Sequence, residues 1–455
     1  MEPHSYYIFN AVVVNENKTF PGAVFIHNGF ISEVFQGSAP ADFQFPEKTV
    51  RVDAKHKFLI PGIIDDHVHF RDPGLTAKGD LCTESKAAVA GGVTSFMDMP
   101  NTEPKATTLE ILEKKYTSAA QRSLANFSFF LGATNDNLSE IENADHTRIC
   151  GLKVFLGAST GNMLVNNPHI LEWIFSNTSL LIAVHAEDES IIQKNLRVFS
   201  EKYGARIPFD AHPLIRSEEA CFASSEKAVG MALRNNARLH LLHISTAKEL
   251  ALLQNDRPLA EKQITGEVTI HHLWFDDRDY NELGPLIKWN PAIKTSRDRE
   301  ALLQAVNDDT IDIIATDHAP HLEAEKKQPY INCPSGGPMV QHALMAMMGF
   351  YNLGKISLEK IVEKMCHGPA TLYRINKRGF IRKNYFADLV LVDPDDPWVV
   401  SRENLLYKCK WSPFEGTTFK SRITHTWVNG HLVYNEGRFD DSIKGMRLKF
   451  GNDGE

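Results

Sequence analysis

The segment Asp65-Asp66-His67-Val68-His69-Phe70-Arg71-Asp72-Pro73-Gly74 closes an apolar run. Residues two apart on a strand point to the same side, so His67 and His69 can hold one metal ion from one strand end. Taken alone, an H-x-H pair is weak. Lys153 adds weight, because it lies inside the apolar run Gly151-Leu152-Lys153-Val154-Phe155-Leu156. A lysine there is costly unless its charge is removed or paired. Burial depresses the amine pKa, and a neutral amine can react with carbon dioxide. The resulting carbamate is an anion able to bridge two metals. His185 in Val184-His185-Ala186-Glu187, His243 in Leu242-His243-Ile244 and Asp317 in Thr316-Asp317-His318-Ala319-Pro320-His321 each stand where an apolar run stops. A single such histidine is more often structural. Four later units carrying such residues, after an H-x-H on the first, are hard to explain by packing. Nitrogen and oxygen donors without thiolate favour zinc, with manganese or cobalt as substitutes. Two such metals about 3.5–4 Å apart share a bridge and lower the pKa of a water toward ~7. The chemistry this points to is hydrolysis of an amide-type bond.

Parallel strands must bring these residues together. Eight apolar runs, each followed by a helix-compatible stretch, occupy the middle of the chain: Phe58–Asp66, Val93–Met99, Asn126–Leu131, Gly151–Leu156, Leu180–Val184, Leu239–His243, Thr265–Ile270 and Ile311–Thr316. They fit a (β/α)8 barrel, whose strand C-termini converge on one mouth. A doubly wound open sheet competes. The two chain ends read differently, as short β-branched and aromatic strands around Asn28-Gly29 and Asn429-Gly430 hairpin turns. The expected organisation is a composite β-sandwich domain from residues 1–57 and 380–455, around a metal-dependent barrel over 58–379.

The 455 residues are 43% hydrophobic and 23% charged, which excludes a disordered chain, a collagen and a coiled-coil rod. A net charge of −8 argues against nucleic acid or an anionic membrane as a partner, and makes an anionic substrate depend on a local cation. Six scattered cysteines without a C-x-x-C pair suggest reduced thiols in a cytoplasmic protein. No basic-then-apolar start and no long apolar run are seen, so neither a signal peptide nor a membrane span is expected.

The order H-x-H, Lys, His, His, Asp resembles the amidohydrolase superfamily. The segments His67 to Gly74, Met99-Pro100-Asn101-Thr102, Val184 to Glu187 and Thr316 to His321 are similar to the class I dihydroorotases within it. The resemblance implies interconversion of N-carbamoyl-L-aspartate and L-dihydroorotate, a step of pyrimidine synthesis. It implies two zinc ions bridged by carboxylated Lys153, with His67, His69 and Asp317 on the more buried one and His185 and His243 on the other. Asp317 also serves as base and then acid. Arg71, Asn101 and His321 would hold the substrate carboxylate, and Asn290 and the Ser335-Gly336 backbone would contact the ring. A homodimer, and association with aspartate transcarbamoylase, belong to the same expectation.

Allantoinase or dihydropyrimidinase/hydantoinase share the metal set; Arg71 and His321 argue against them, because they imply a carboxylate on the ring. A non-catalytic structural homologue would be expected to lose ligands, and all six are present. His271 and His272 read as structural or lining, and His318 as structural. Trp173, Trp274 and Trp289 read as core or rim packing, and Asp393 to Pro397 as a solvated turn. The loop Glu323–Gly337 reads as mobile, with the capacity to close over substrate.

Overall fold

The computed structural model describes residues 5–157 and 163–451. Twenty strands form four sheets. Both chain ends build the largest sheet. From the N-terminal part come β1 (Ser5–Asn15), β2 (Lys18–His27), β3 (Phe30–Gln36), β4 (Thr49–Asp53) and β5 (Phe58–Pro61). The central strands are β6 (Ile63–Val68), β7 (Val93–Asp98), β8 (Asn126–Phe129), β9 (Leu131–Gly132), β10 (Leu152–Phe155), β11 (Ile182–His185), β12 (Leu239–Leu241), β13 (Ile264–Thr269) and β14 (Ile313–Ala315). The C-terminal part adds β15 (Leu389–Asp393), β16 (Trp398–Val399), β17 (Thr418–Phe419), β18 (Arg422–Val428), β19 (His431–Asn435) and β20 (Arg438–Phe439).

The nine-stranded sheet runs β20-β19-β18-β15-β5-β1-β2-β3, with β4 beside β1. The two expected hairpins are there: Asn28 and Gly29, and Asn429 and Gly430, all have positive φ and join antiparallel neighbours. The structure thus holds one continuous sheet from both termini, with β16 and β17 as a separate ribbon.

The central strands pair in parallel throughout, as β6-β7-β8 and as β14-β13-β12-β11-β10-β9. Nearly every residue in them is buried, as strands covered on both faces require. A bridge between Val68 and His318 and a 2.7 Å bond from His69 N to His318 O tie the end of β6 to the chain after β14. Asp65 adds a second tie, accepting from Thr316 Oγ1 at 2.6 Å.

One expected strand is two. The run Phe58–Asp66 divides at Gly62, with β5 in the large sheet and β6 among the parallel strands. A side chain at position 62 would meet Thr94 Oγ1 at 2.1 Å, so only glycine lets the chain cross between sheets there. The segment 400–419 also departs from the sheet. Tyr407, Trp411 and Phe414 are buried in the same core as the parallel strands, and Trp411 Nε1 donates to His321 O at 2.7 Å.

The loop read as mobile is instead stitched down. Lys326 is fully buried, and its Nζ donates to Gly336 O at 2.8 Å, Pro334 O at 2.9 Å and Lys288 O at 3.3 Å. Lys288 Nζ in turn donates to Tyr330 O at 2.7 Å and Cys333 O at 2.5 Å. Buried ammonium groups need such acceptors, and the loop's own carbonyls supply them. All six cysteines are free thiols, five of them buried. Among the described residues no helix is long and apolar enough to cross a membrane.

Candidate metal centre and active site

Eleven of the twelve site residues expected from sequence line one cavity of about 60 Å³ at the ends of the parallel strands. They are His67, His69, Arg71, Asn101, Lys153, His185, His243, Asn290, Asp317, Ser335 and Gly336. His321 stands behind the wall, with Nε2 3.0 Å from Arg71 Nη2 and Nδ1 3.1 Å from Lys78 Nζ. Trp289 also lines the cavity and stacks on His271 with centroids 4.4 Å apart.

His67, His69 and Asp317 place their ligand atoms within 4.8 Å of one another. Asp317 Oδ1 is 3.4 Å from His67 Nε2 and 3.1 Å from His69 Nε2. Each imidazole is oriented from behind, as the second shell of a metal site requires. His67 Nδ1 lies 2.6 Å from Glu267 Oε1, and His69 Nδ1 lies 2.7 Å from Asn101 Oδ1. A carboxylate or amide oxygen only accepts, so each Nδ1 carries a proton, and Nε2 of each ring would be the atom offered to a bound metal. Burial alone would raise the Asp317 carboxyl; the imidazoles of His67 and His69 hold it well below the usual range. It is a carboxylate at neutral pH.

His185 and His243 form the other group, with His185 Nδ1 2.9 Å from His243 Nε2. His185 Nε2 faces Glu187 Oε2 at 3.1 Å, and Glu187 is itself paired with Arg216. Lys153 lines the same cavity and is buried, and burial lowers its amine to about 7. A substantial neutral fraction at neutral pH follows, which is the form that adds carbon dioxide. This oxygen and nitrogen donor set fits zinc.

Arg71 is 3% exposed, and burial lowers its guanidinium only to about 10, so it remains a cation facing the cavity. Its Nε donates to Pro320 O at 3.0 Å, which aims the fork. Arg71, His243 and Asp317 all have positive φ, at 66°, 41° and 45°. Strain at non-glycine residues clusters at functional sites.

The remaining histidines serve the frame. His318 Nε2 pairs with Glu84 at 2.9 Å, and its Nδ1 faces Met339 N at 3.0 Å. His271 and His272 bond to Thr269 Oγ1 and do not line the cavity. Glu267 was missed by the sequence reading. A charged residue inside the apolar run Thr265–Ile270 is the signal that singled out Lys153, and it applies equally there. Burial would raise the Glu267 carboxyl, but His67 and His240 hold it low. Asp66, His240 and Glu267 form a further buried group within 4.8 Å of one another.

Residues 58–433 match the model of the amidohydrolase family. A dihydroorotase of Methanosarcina mazei is 31% identical over 421 residues, spanning 90% of both chains. One from Halobacterium salinarum is 34% identical over 80% of this chain and 84% of its own. One from Pyrococcus furiosus is 32% identical over 95% and 94%. Among solved structures, an L-hydantoinase (dihydropyrimidinase) from Arthrobacter aurescens superposes with a TM-score of 0.91 at 24% identity, covering 98% of this chain and 99% of its own. A dihydropyrimidinase from Brevibacillus agri gives 0.86 at 22%, over 99% and 100%. At those identities the structures speak for fold alone. Motifs, donor geometry, family match and relatives agree, and the chain is a hydrolase of the amidohydrolase family.

Proposed function

We propose that this protein is a zinc-dependent dihydroorotase, interconverting L-dihydroorotate and N-carbamoyl-L-aspartate in pyrimidine synthesis. Arg71 carries the reading. It is a buried cation on the wall of a cavity that otherwise holds metal-type ligands, in a protein of net charge −8. A guanidinium fork matches a carboxylate, and L-dihydroorotate differs from the uncharged cyclic amides in bearing one. His321 steadies the fork from behind, and Asn101 lines the same cavity at 2.7 Å from His69 Nδ1. Asn290, Ser335 and Gly336 line the same cavity and offer polar groups to the ring, with Ser335 O 3.1 Å from His321 Nε2.

The proposed architecture is a closed (β/α)8 barrel over 63–379, with a composite β domain from 1–61 and 380–455, because β5 belongs to the terminal sheet and not to the barrel as expected from 58. In it, His67, His69 and Asp317 would hold one zinc, and His185 and His243 a second. Lys153, once carboxylated, would supply an anionic ligand beside them. Zinc, when bound, supplies Lewis acidity and lowers the pKa of water. Asp317, ionised at neutral pH, accepts the proton of the attacking water and returns it to the ring nitrogen as the C–N bond breaks. Hydroxide thus ends on the carbonyl carbon and the proton on nitrogen. The reverse order closes the ring and releases water. Arg71 fixes the ring by its carboxylate, so that the reacting carbonyl meets Asp317 in one orientation. From the resemblance we also propose a cytoplasmic homodimer, with aspartate transcarbamoylase as a candidate partner.

The test is turnover of protein reconstituted with zinc and bicarbonate on L-dihydroorotate, allantoin and dihydrouracil. A strong preference for L-dihydroorotate supports the reading. Preference for an uncharged ring retains the metal site and replaces the substrate with that of an allantoinase or dihydropyrimidinase. Turnover of none, with zinc bound, favours a structural homologue.

A further inference from the structure

We infer that Glu267 is a positioning residue that holds the two halves of the metal centre to one another, an inference that rests on the two-zinc reading above. One carboxylate oxygen, Glu267 Oε1, accepts from His67 Nδ1 at 2.6 Å and from the backbone N of His243 at 3.0 Å. His67 belongs to the first metal group and His243 to the second. The Glu267 carbonyl also accepts from Ile244 N at 2.8 Å. His243 has a φ of 41°, a conformation that a non-glycine residue keeps only when its surroundings enforce it. Glu267 supplies that enforcement at both peptides flanking the His243 Cα.

The second oxygen faces a buried imidazole at the rear, without a hydrogen bond among the described residues. Glu267 Oε2 and Asp66 Oδ2 both face His240 Nε2 at 3.4 Å, and Tyr373 donates its hydroxyl to Asp66 Oδ2 at 2.9 Å. All four side chains are buried. Turning the carboxylate would strip Oε1 from His67 Nδ1 and His243 N inside the core. A fixed Oε1 fixes the His67 tautomer, with Nε2 as the ligand atom, and fixes where the His243 ring begins. A hydrogen-bonded carboxylate behind a ligating imidazole is worth about 10–100-fold in metal affinity. Glu267 serves one ligand of each metal, so both sites depend on it.

The experiment counts zinc retained against a competing chelator, in wild type, Glu267→Gln and Asp312→Asn. Asp312 is the control, a buried carboxylate outside the cavity that accepts from Lys262 Nζ at 2.7 Å and Gly266 N at 3.0 Å. Glu267→Gln is expected to lose both zinc ions at chelator concentrations about 10–100-fold lower than wild type. Asp312→Asn is expected to melt at a lower temperature with unchanged zinc retention. Unchanged retention in Glu267→Gln, or an equal loss in Asp312→Asn, overturns the inference. Should Glu267→Gln fail to fold, nitrogen-15 spectra of histidine side chains in zinc-loaded wild type decide. His67 is expected to carry its proton on Nδ1 and zinc on Nε2, and zinc on Nδ1 overturns the inference. A wild type that holds two zincs without turning over L-dihydroorotate removes the substrate reading and leaves the zinc comparison to judge Glu267. A wild type that holds no zinc overturns both.

Discussion

At His67 and His69 each imidazole meets an oxygen acceptor at Nδ1, from Glu267 and Asn101, and both Nε2 atoms converge on Asp317. At His185 and His243 the two imidazoles meet each other at 2.9 Å, and His243 Nδ1 has no hydrogen-bond partner among the described residues. The first group is a rigid template, with its tautomers set by the protein. In the second, Glu267 fixes the His243 backbone, and its one carboxylate, Glu187 at 3.1 Å from His185 Nε2, is already paired with Arg216. An uncommitted anion is what a carboxylated Lys153 would bring. On the proposed reading, the metal centre is half built by folding and half by a chemical modification of one buried amine.

The largest effect is expected at the residue that serves the rigid group and the chemistry together. Asp317→Asn removes the proton carrier, and turnover should fall about 10²–10⁴-fold, measured as kcat with zinc saturating. A kcat within a few-fold of wild type would break the assignment. Lys153→Met separates the halves. It should retain one zinc in the His67 group and lose the other, read by metal analysis after gel filtration. Equal loss of both would show that the first group is not independent. Arg71→Lys leaves both halves alone and addresses substrate. A hydrogen-bonded charge contact is worth about 1.5–3 kcal/mol, so KM for L-dihydroorotate should rise about 10–150-fold with zinc content unchanged. An unchanged KM would send the carboxylate elsewhere. The smallest effect on chemistry is expected from Lys326→Met. It leaves the carbonyls of Pro334 and Gly336 unpaired at about 1–3 kcal/mol each, lowering the melting temperature and raising KM through the Ser335–Gly336 wall. An unchanged melting temperature would contradict the stitched loop.

The residues that gather at the cavity were legible because strand alternation and strand ends are local properties. His67 and His69 sit two apart, and Lys153 interrupts an apolar run. The hairpins at Asn28-Gly29 and Asn429-Gly430 were legible for the same reason, since a positive φ is a property of two residues. What escaped was long-range. Glu267 meets His67 across 200 residues of sequence, and its role exists only once β6 and β13 share a mouth. The division of Phe58–Asp66 at Gly62 depends on Thr94 from another strand. Composition made Glu323–Gly337 look loose, yet Lys288 and Lys326 hold its carbonyls from below. The packing of Trp411 against His321 joins residues 90 apart, in a segment that reads as part of the terminal sheet.

The most direct measurement counts zinc and carbamate together. Metal-free protein is given zinc with and without carbon-13 bicarbonate, and retained zinc is measured beside the carbon-13 spectrum. One zinc per chain without bicarbonate, and two with it alongside a protein carbamate signal that Lys153→Met lacks, is the expected result. Two zincs bound without bicarbonate, or two with it and no carbamate signal, would contradict the account of a centre half built by the fold and half by Lys153.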